Sequence, residues 1–128
     1  MNPHKRRVIL VLEDNPAVRI FYIDSLNPKG YEVLCSPSMK GALQLFDEER
    51  ENIVGVISDG NVIEGDFGPI FVERLRNFGF KGPIIATSMS SALRQKLIRA
   101  GCSEKADEKK DAPQTLLRAI QTTQTLPT

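Results

Sequence analysis

No stretch of the 128-residue chain approaches the roughly 20 consecutive apolar residues that cross a bilayer. The N-terminus lacks the small-residue cleavage pattern of a secretion signal, because Arg7–Leu12 runs directly into charge. Cysteine is scarce: Cys35 and Cys102 lie far apart in apolar or turn contexts. That is too little for a stapled framework, so a reducing, cytoplasmic setting is expected. Charge of either sign is not in excess, with a formal net charge of +1. This gives no basis for nucleic-acid or anionic-membrane binding, and neither is expected as a partner. The one basic run, His4-Lys5-Arg6-Arg7, reads as a solvated lead into the first strand. No nucleotide-binding glycine loop of either common kind is present, and no hydroxyl-rich phosphate loop follows the first strand as a flavin site would need. No repeat, low-complexity segment or domain boundary interrupts the chain.

What is present is one alternating pattern. The length suits a single domain spanning residues 1–128, with a core over about 7–121 and a polar tail at 122–128 that frays. Val8–Leu12 is a short β-branched apolar run, the signature of a strand buried on both faces. Asn15-Pro16 then opens a helix with Asn as cap and Pro at the first position. Its expected inner stripe is Val18, Phe21 and Leu26, with Tyr22 and Ser25 alongside. Asn27–Gly30 breaks the chain, and Tyr31–Cys35 reads as a second strand. Ser38 caps a helix whose Met39, Ala42, Leu43 and Phe46 keep helical spacing. Ile53–Ser58 is a third strand ending in Asp59. A Gly-rich loop, Gly60–Gly68, precedes a helix starting at Pro69 with Phe71, Leu75 and Phe78 inward and Gly79 as its stop. Pro83–Ala86 is a fourth strand ending in Thr87-Ser88. Ser90 or Ser91 caps a helix carrying Leu93, Leu97 and Ile98. Glu104–Ala106 is a weakly patterned fifth strand, and Asp111–Gln114 forms a capping box before Leu116, Leu117 and Ile120. Strand and helix alternating five times argue an α/β fold, a parallel sheet with helices on both faces.

In such a sheet the C-terminal strand ends share one edge, where ligands bind. That edge gathers Glu13 and Asp14, Asp59, and Thr87, with Lys105, Lys109 and Lys110 in the fifth unit. Two carboxylates about 4 Å apart repel by roughly 4 kcal/mol at an effective dielectric near 20, so three of them hold protons or recruit a cation. Oxygen donors without nearby His or Cys suit Mg²⁺. A carboxylate beside such an ion can act as a nucleophile towards phosphorus. Thr87 can donate to a phosphoryl oxygen, and a lysine can neutralise another.

From Arg7 to about Gln121 these residues resemble a response-regulator receiver domain, the phosphoacceptor half of two-component signalling. The resemblance implies a flavodoxin-like (βα)5 three-layer sandwich with a five-stranded parallel sheet in the order 2-1-3-4-5. It implies Asp59 as phosphoacceptor, and Glu13, Asp14, Asp59 and the backbone carbonyl of Asn61 as the Mg²⁺ site. It also implies Thr87 as the hydroxyl that closes on the phosphoryl group, followed by the small Ser88. Counted from Gly101-Cys102 the active-site lysine falls on Glu108; counted from Thr87 it falls on Lys109. Lys109 is assigned, with Lys110 the alternative. Three features depart from the family pattern: Val62-Ile63 stand where Met-Pro is usual, Lys110 replaces the Pro after the lysine, and Ala106 replaces the aromatic switch residue. The expected function is Mg²⁺-dependent phosphorylation of Asp59 by a sensor histidine kinase or histidine phosphotransfer protein, changing the binding of a downstream protein or detached output domain. Such a chain is not a turnover enzyme; it assists only its own phosphoryl transfer and loss. The alternative is a pseudo-receiver, an interaction module indifferent to phosphorylation. An aspartate-nucleophile phosphatase would need a second Asp two residues after the first, where Asn61 stands.

Overall fold

The computed structural model describes residues 6–59, 67–87, 91–106 and 108–125. Five strands, β1 (Val8–Leu12), β2 (Glu32–Ser36), β3 (Ile53–Asp59), β4 (Ile84–Thr87) and β5 (Glu104–Ala106), alternate with five helices. The helices are α1 (Pro16–Leu26), α2 (Met39–Glu49), α3 (Phe67–Asn77), α4 (Ser91–Ala100) and α5 (Ala112–Thr125). All strand pairs are parallel, in the order β2-β1-β3-β4-β5. The five residues of β1 are wholly buried, as an apolar run covered on both faces requires. Among the described residues no helix is long and apolar enough to cross a membrane.

Side chains alternate across the sheet and build two cores. Leu10, Leu12, Val56, Ile84 and Ala86 face α2, α3 and α4, where Phe46, Phe71, Leu75 and Leu97 close over them. Ile9, Val11, Ile57 and Ile85 face α1 and α5, meeting Tyr22, Leu26, Leu116 and Ile120. Gly55 permits the close seating of α5 on β3: a Cβ there would lie 2.8 Å from Leu116 Cδ1. The free Cys102 packs at the edge of the first core. Burial pushes its thiol up to about 12, which suits a packing residue rather than a redox group.

Several local expectations are corrected. In α1 the buried pair is Tyr22 and Leu26, whereas Phe21 is 40% exposed and Ser25 donates back to the Phe21 carbonyl at 2.7 Å. Ile20, Phe21, Tyr22 and Ile23 are consecutive apolar residues, so periodicity alone could not select the buried side. Phe78 and Ile98 are also turned outward, although the Phe78 ring stacks on Phe46 with centroids 6.1 Å apart. Helix α3 begins at Phe67 rather than Pro69. Proline fits in that first turn, where backbone N–H groups have no intrahelical acceptor. Strand β2 is shifted by one residue, to end at Ser36 opposite Leu12. Helix α5 continues to Thr125, beyond the start of the expected frayed tail.

Candidate phosphoacceptor and metal site

Strand register assembles the site. Leu12 pairs with Ser58, so Glu13 follows beside Asp59; Asp59 pairs with Thr87, and Thr87 with Ala106. Alternation places Glu13, Asp59 and Thr87 on the same face as Val11, Ile57 and Ile85, beneath α1 and α5. All three are at most 1% exposed. The turn into α1 then fixes the acidic pair. Asn15 accepts from the Ala17 N–H at 2.9 Å and donates its own backbone N–H to Glu13 Oε2 at 3.0 Å. Arg19 Nη1 donates to the Glu13 carbonyl at 2.9 Å. Asp14 is half-buried. One carboxylate oxygen from each of Glu13, Asp14 and Asp59 lies within 4.8 Å of the others.

Lys109 enters from a 3-10 turn, Lys109–Asp111, ahead of α5. Its Nζ donates to Glu13 Oε2 at 3.0 Å and to Asp59 Oδ2 at 3.3 Å. Lys110, the alternative, points to solvent and pairs with Glu108 at 3.2 Å. The two lysines are adjacent in sequence, and only the geometry of the turn separates them. Asn61 and Ser88, together with Val62 and Ile63, lie outside the described residues. No peptide bond among the described residues is cis.

Burial pushes the Glu13 carboxyl up to about 7; the Asn15 N–H and Lys109 oppose the shift, and the Asp59 charge adds to it. Burial acts to lower the Lys109 ammonium, but its bond to Glu13 and the charges of Asp59 and Glu13 outweigh this and hold it above the usual lysine range. The donor set is all oxygen, with two of its carboxylates buried. That fits a small hard cation such as Mg²⁺, which tolerates one or two carboxylates and keeps waters.

One residue of the site escaped the sequence reading. Tyr22 is fully buried, and its hydroxyl neighbours Thr87 without completing a hydrogen bond among the described residues. Burial first, then the charges of Glu13 and Asp59, push the phenol above its ordinary range, while Thr87 opposes the shift. The available signal was its polar tip within the otherwise apolar run Ile20–Ile23.

A scan against protein-family models finds no match, and a search of curated proteins finds none. Solved structures do match. The signal receiver domain of an HD domain-containing protein from Pseudomonas fluorescens superposes with a TM-score of 0.80 at 18% identity, covering 98% of this chain and 94% of that one. The Vibrio cholerae chemotaxis protein CheY4 gives 0.73 at 24%, covering 91% and 98%. The beryllofluoride-activated N-terminal receiver domain of Klebsiella pneumoniae RstA gives 0.75 at 22%, covering 94% and 100%. With five parallel strands in the order 2-1-3-4-5 and helices on both faces, the chain has the flavodoxin-like fold of response-regulator receiver domains.

Proposed function

We propose that the chain is a phosphoacceptor signalling domain, with Asp59 as the residue that receives the phosphoryl group. The observation that carries this reading is the buried Asp59 carboxylate, held at 3.3 Å from Lys109 and within ion-sharing distance of Glu13 and Asp14. An Asp59 carboxylate oxygen attacks the phosphorus of a phosphohistidine. The N–P bond breaks, an acyl phosphate forms, and the leaving imidazole takes up a proton. Hydrolysis later breaks the O–P bond, releasing inorganic phosphate and restoring the carboxylate.

Glu13, Asp14 and Asp59, with the Asn61 carbonyl, would hold Mg²⁺. When bound, the ion offsets the negative charge that otherwise repels an incoming phosphoryl group. Lys109 supplies a second positive charge at the same oxygens. Thr87, whose buried Oγ1 has no hydrogen-bond partner among the described residues, donates to a phosphoryl oxygen. The chain thus assists only its own phosphorylation and dephosphorylation. The donor is a sensor histidine kinase or histidine phosphotransfer protein, in the cytoplasm. The phosphorylated state is read by a downstream protein or detached output domain, through a shift in conformational populations.

Incubation with Mg²⁺ and a small phosphodonor should add one phosphoryl group to the intact mass, and Asp59→Asn should abolish the addition. An unmodified wild-type mass at saturating Mg²⁺ and donor would refute the proposal and leave the pseudo-receiver reading.

A further inference from the structure

The second core ends in two hydroxyls rather than one. Tyr22, from the middle of α1, shares the second core with Val11, Ile57 and Ile85, each two residues before Glu13, Asp59 and Thr87. Its phenol neighbours Thr87 and feels the charges of Glu13 and Asp59, at the level of the strand ends. Tyr22 and Thr87 are both fully buried; the two hydroxyls neighbour each other, but among the described residues neither Oη nor Oγ1 completes a hydrogen bond. A buried hydroxyl left unpaired costs about 1–3 kcal/mol, and native structures contain few such groups. Two side by side, next to the same carboxylates, mark groups that find their bonds in another state of the site.

Hydroxyl chemistry says which bonds those are. Thr87 has one donor and two acceptor lone pairs. If its proton goes to a phosphoryl oxygen on Asp59, its lone pairs remain to be satisfied in a dry site. The phenol of Tyr22 has one proton to give and stands beside it. A chain of the form Tyr–OH to Thr–OH to phosphoryl oxygen satisfies both groups, and each bond polarises the next. Arg19 and Lys109 approach the acids from elsewhere and do not compete for the Thr87 lone pairs. On β5 the register neighbour of Thr87 is Ala106.

We propose that Tyr22 is a positioning residue for Thr87: its phenol donates to Thr87 Oγ1 when Thr87 turns its own proton to the phosphoryl group on Asp59, so that occupancy of Asp59 is transmitted into α1. This rests on the phosphoacceptor reading above. The change is a hydrogen-bond rearrangement, with no net proton transfer.

Beryllofluoride with Mg²⁺ is the probe, standing in for the phosphoryl group. Its affinity is measured by calorimetry in the wild type, Tyr22→Phe, Thr87→Ala and the double variant. Tyr22→Phe keeps the ring and should weaken binding about three- to tenfold in the wild-type background, the worth of one neutral hydrogen bond. In the Thr87→Ala background it should change affinity less than about twofold. A spectroscopic readout accompanies this. The chain has two tyrosines, so in Tyr31→Phe the only phenol is Tyr22. Its ring ¹³Cζ resonance should shift on beryllofluoride binding, and the shift should vanish in Tyr31→Phe/Thr87→Ala. Wild-type-like affinity in Tyr22→Phe, equal losses in both backgrounds, or a stationary resonance would each overturn the Tyr22 assignment while leaving the phosphoacceptor reading in place. Failure of the wild type to bind beryllofluoride would overturn both.

Discussion

Replacing Lys109 by alanine removes the ammonium that sits 3.0 Å from Glu13 and 3.3 Å from Asp59. Both carboxylates are at most 2% exposed, whereas the lysine side chain is 36% exposed. Breaking a fully buried pair costs about 3–5 kcal/mol, and an exposed one about 0–1. With one partner buried and one reaching solvent, we expect about 2 kcal/mol at pH 8, in the absence of Mg²⁺. The loss depends on pH, and its sign follows from Glu13. The folded carboxyl titrates near 7, above its ordinary value of 4.5. Its proton therefore favours the folded state; that stability is complete below about 4.5 and is lost as pH rises through about 7. Without Lys109 the folded Glu13 shifts further up, so the variant goes on losing stability as pH rises above about 7, where the wild type has levelled off. The gap between variant and wild type is thus smaller at pH 5.5 than at pH 8. Urea unfolding followed by circular dichroism at the two pH values measures it directly, since the chain has no tryptophan to report by fluorescence. Equal destabilisation at both pH values, or none at pH 8, would refute the coupling of Lys109 to the buried acids.

Other expectations follow from the same geometry. At the proposed Mg²⁺ site the ion competes with the Glu13 proton, so its apparent affinity should fall as pH drops below about 7, by up to about tenfold per unit; calorimetry from pH 5.5 to 8 checks this, and a flat profile would contradict it. Arg76 donates to the carbonyls of Gly101, Phe80 and Gly82 at 2.9, 3.0 and 2.7 Å, and to Ser103 Oγ at 3.1 Å. Arg76→Ala should therefore cost about 2–3 kcal/mol, given about 1.5–3 for a charged hydrogen bond discounted for partial exposure. Arg76→Lys should recover little of it, because an ammonium cannot span the four acceptors; a melting temperature within about 2 °C of wild type for either variant would count against this. Gly55→Ala should destabilise by about 1–3 kcal/mol, because the new methyl must displace buried Leu116; an unchanged unfolding midpoint would show that α5 can shift freely.

How much of this could be read from residues alone follows physical lines. The sheet was legible because Val8–Leu12 and Ile53–Ser58 are buried on both faces and each ends in acid, a pattern that parallel topology converts into a common edge. The meeting of Glu13, Asp14 and Asp59 followed from that edge without side-chain detail. What was not legible depends on rotation or on long-range backbone partners. Phe21 and Tyr22 differ by one helical step, and the rotation of α1 over the second core decides which is buried. Lys109 and Lys110 differ by one step of a 3-10 turn. Arg76 reads as an ordinary helix-face charge until the carbonyls at 80, 82 and 101 are seen to converge on it. Asn61 lies outside the described residues, so its carbonyl stands only as the resemblance implies.

The most direct measurement is chemical trapping. An acyl phosphate is reduced by borohydride to the corresponding alcohol, so a phosphorylated aspartate becomes homoserine after treatment. Following incubation with Mg²⁺ and a small phosphodonor, peptide mapping should find homoserine at residue 59 and not at Glu13 or Asp14. Aspartate persisting at 59 under conditions that label a control receiver domain, or reduction mapped to another acid, would contradict the account.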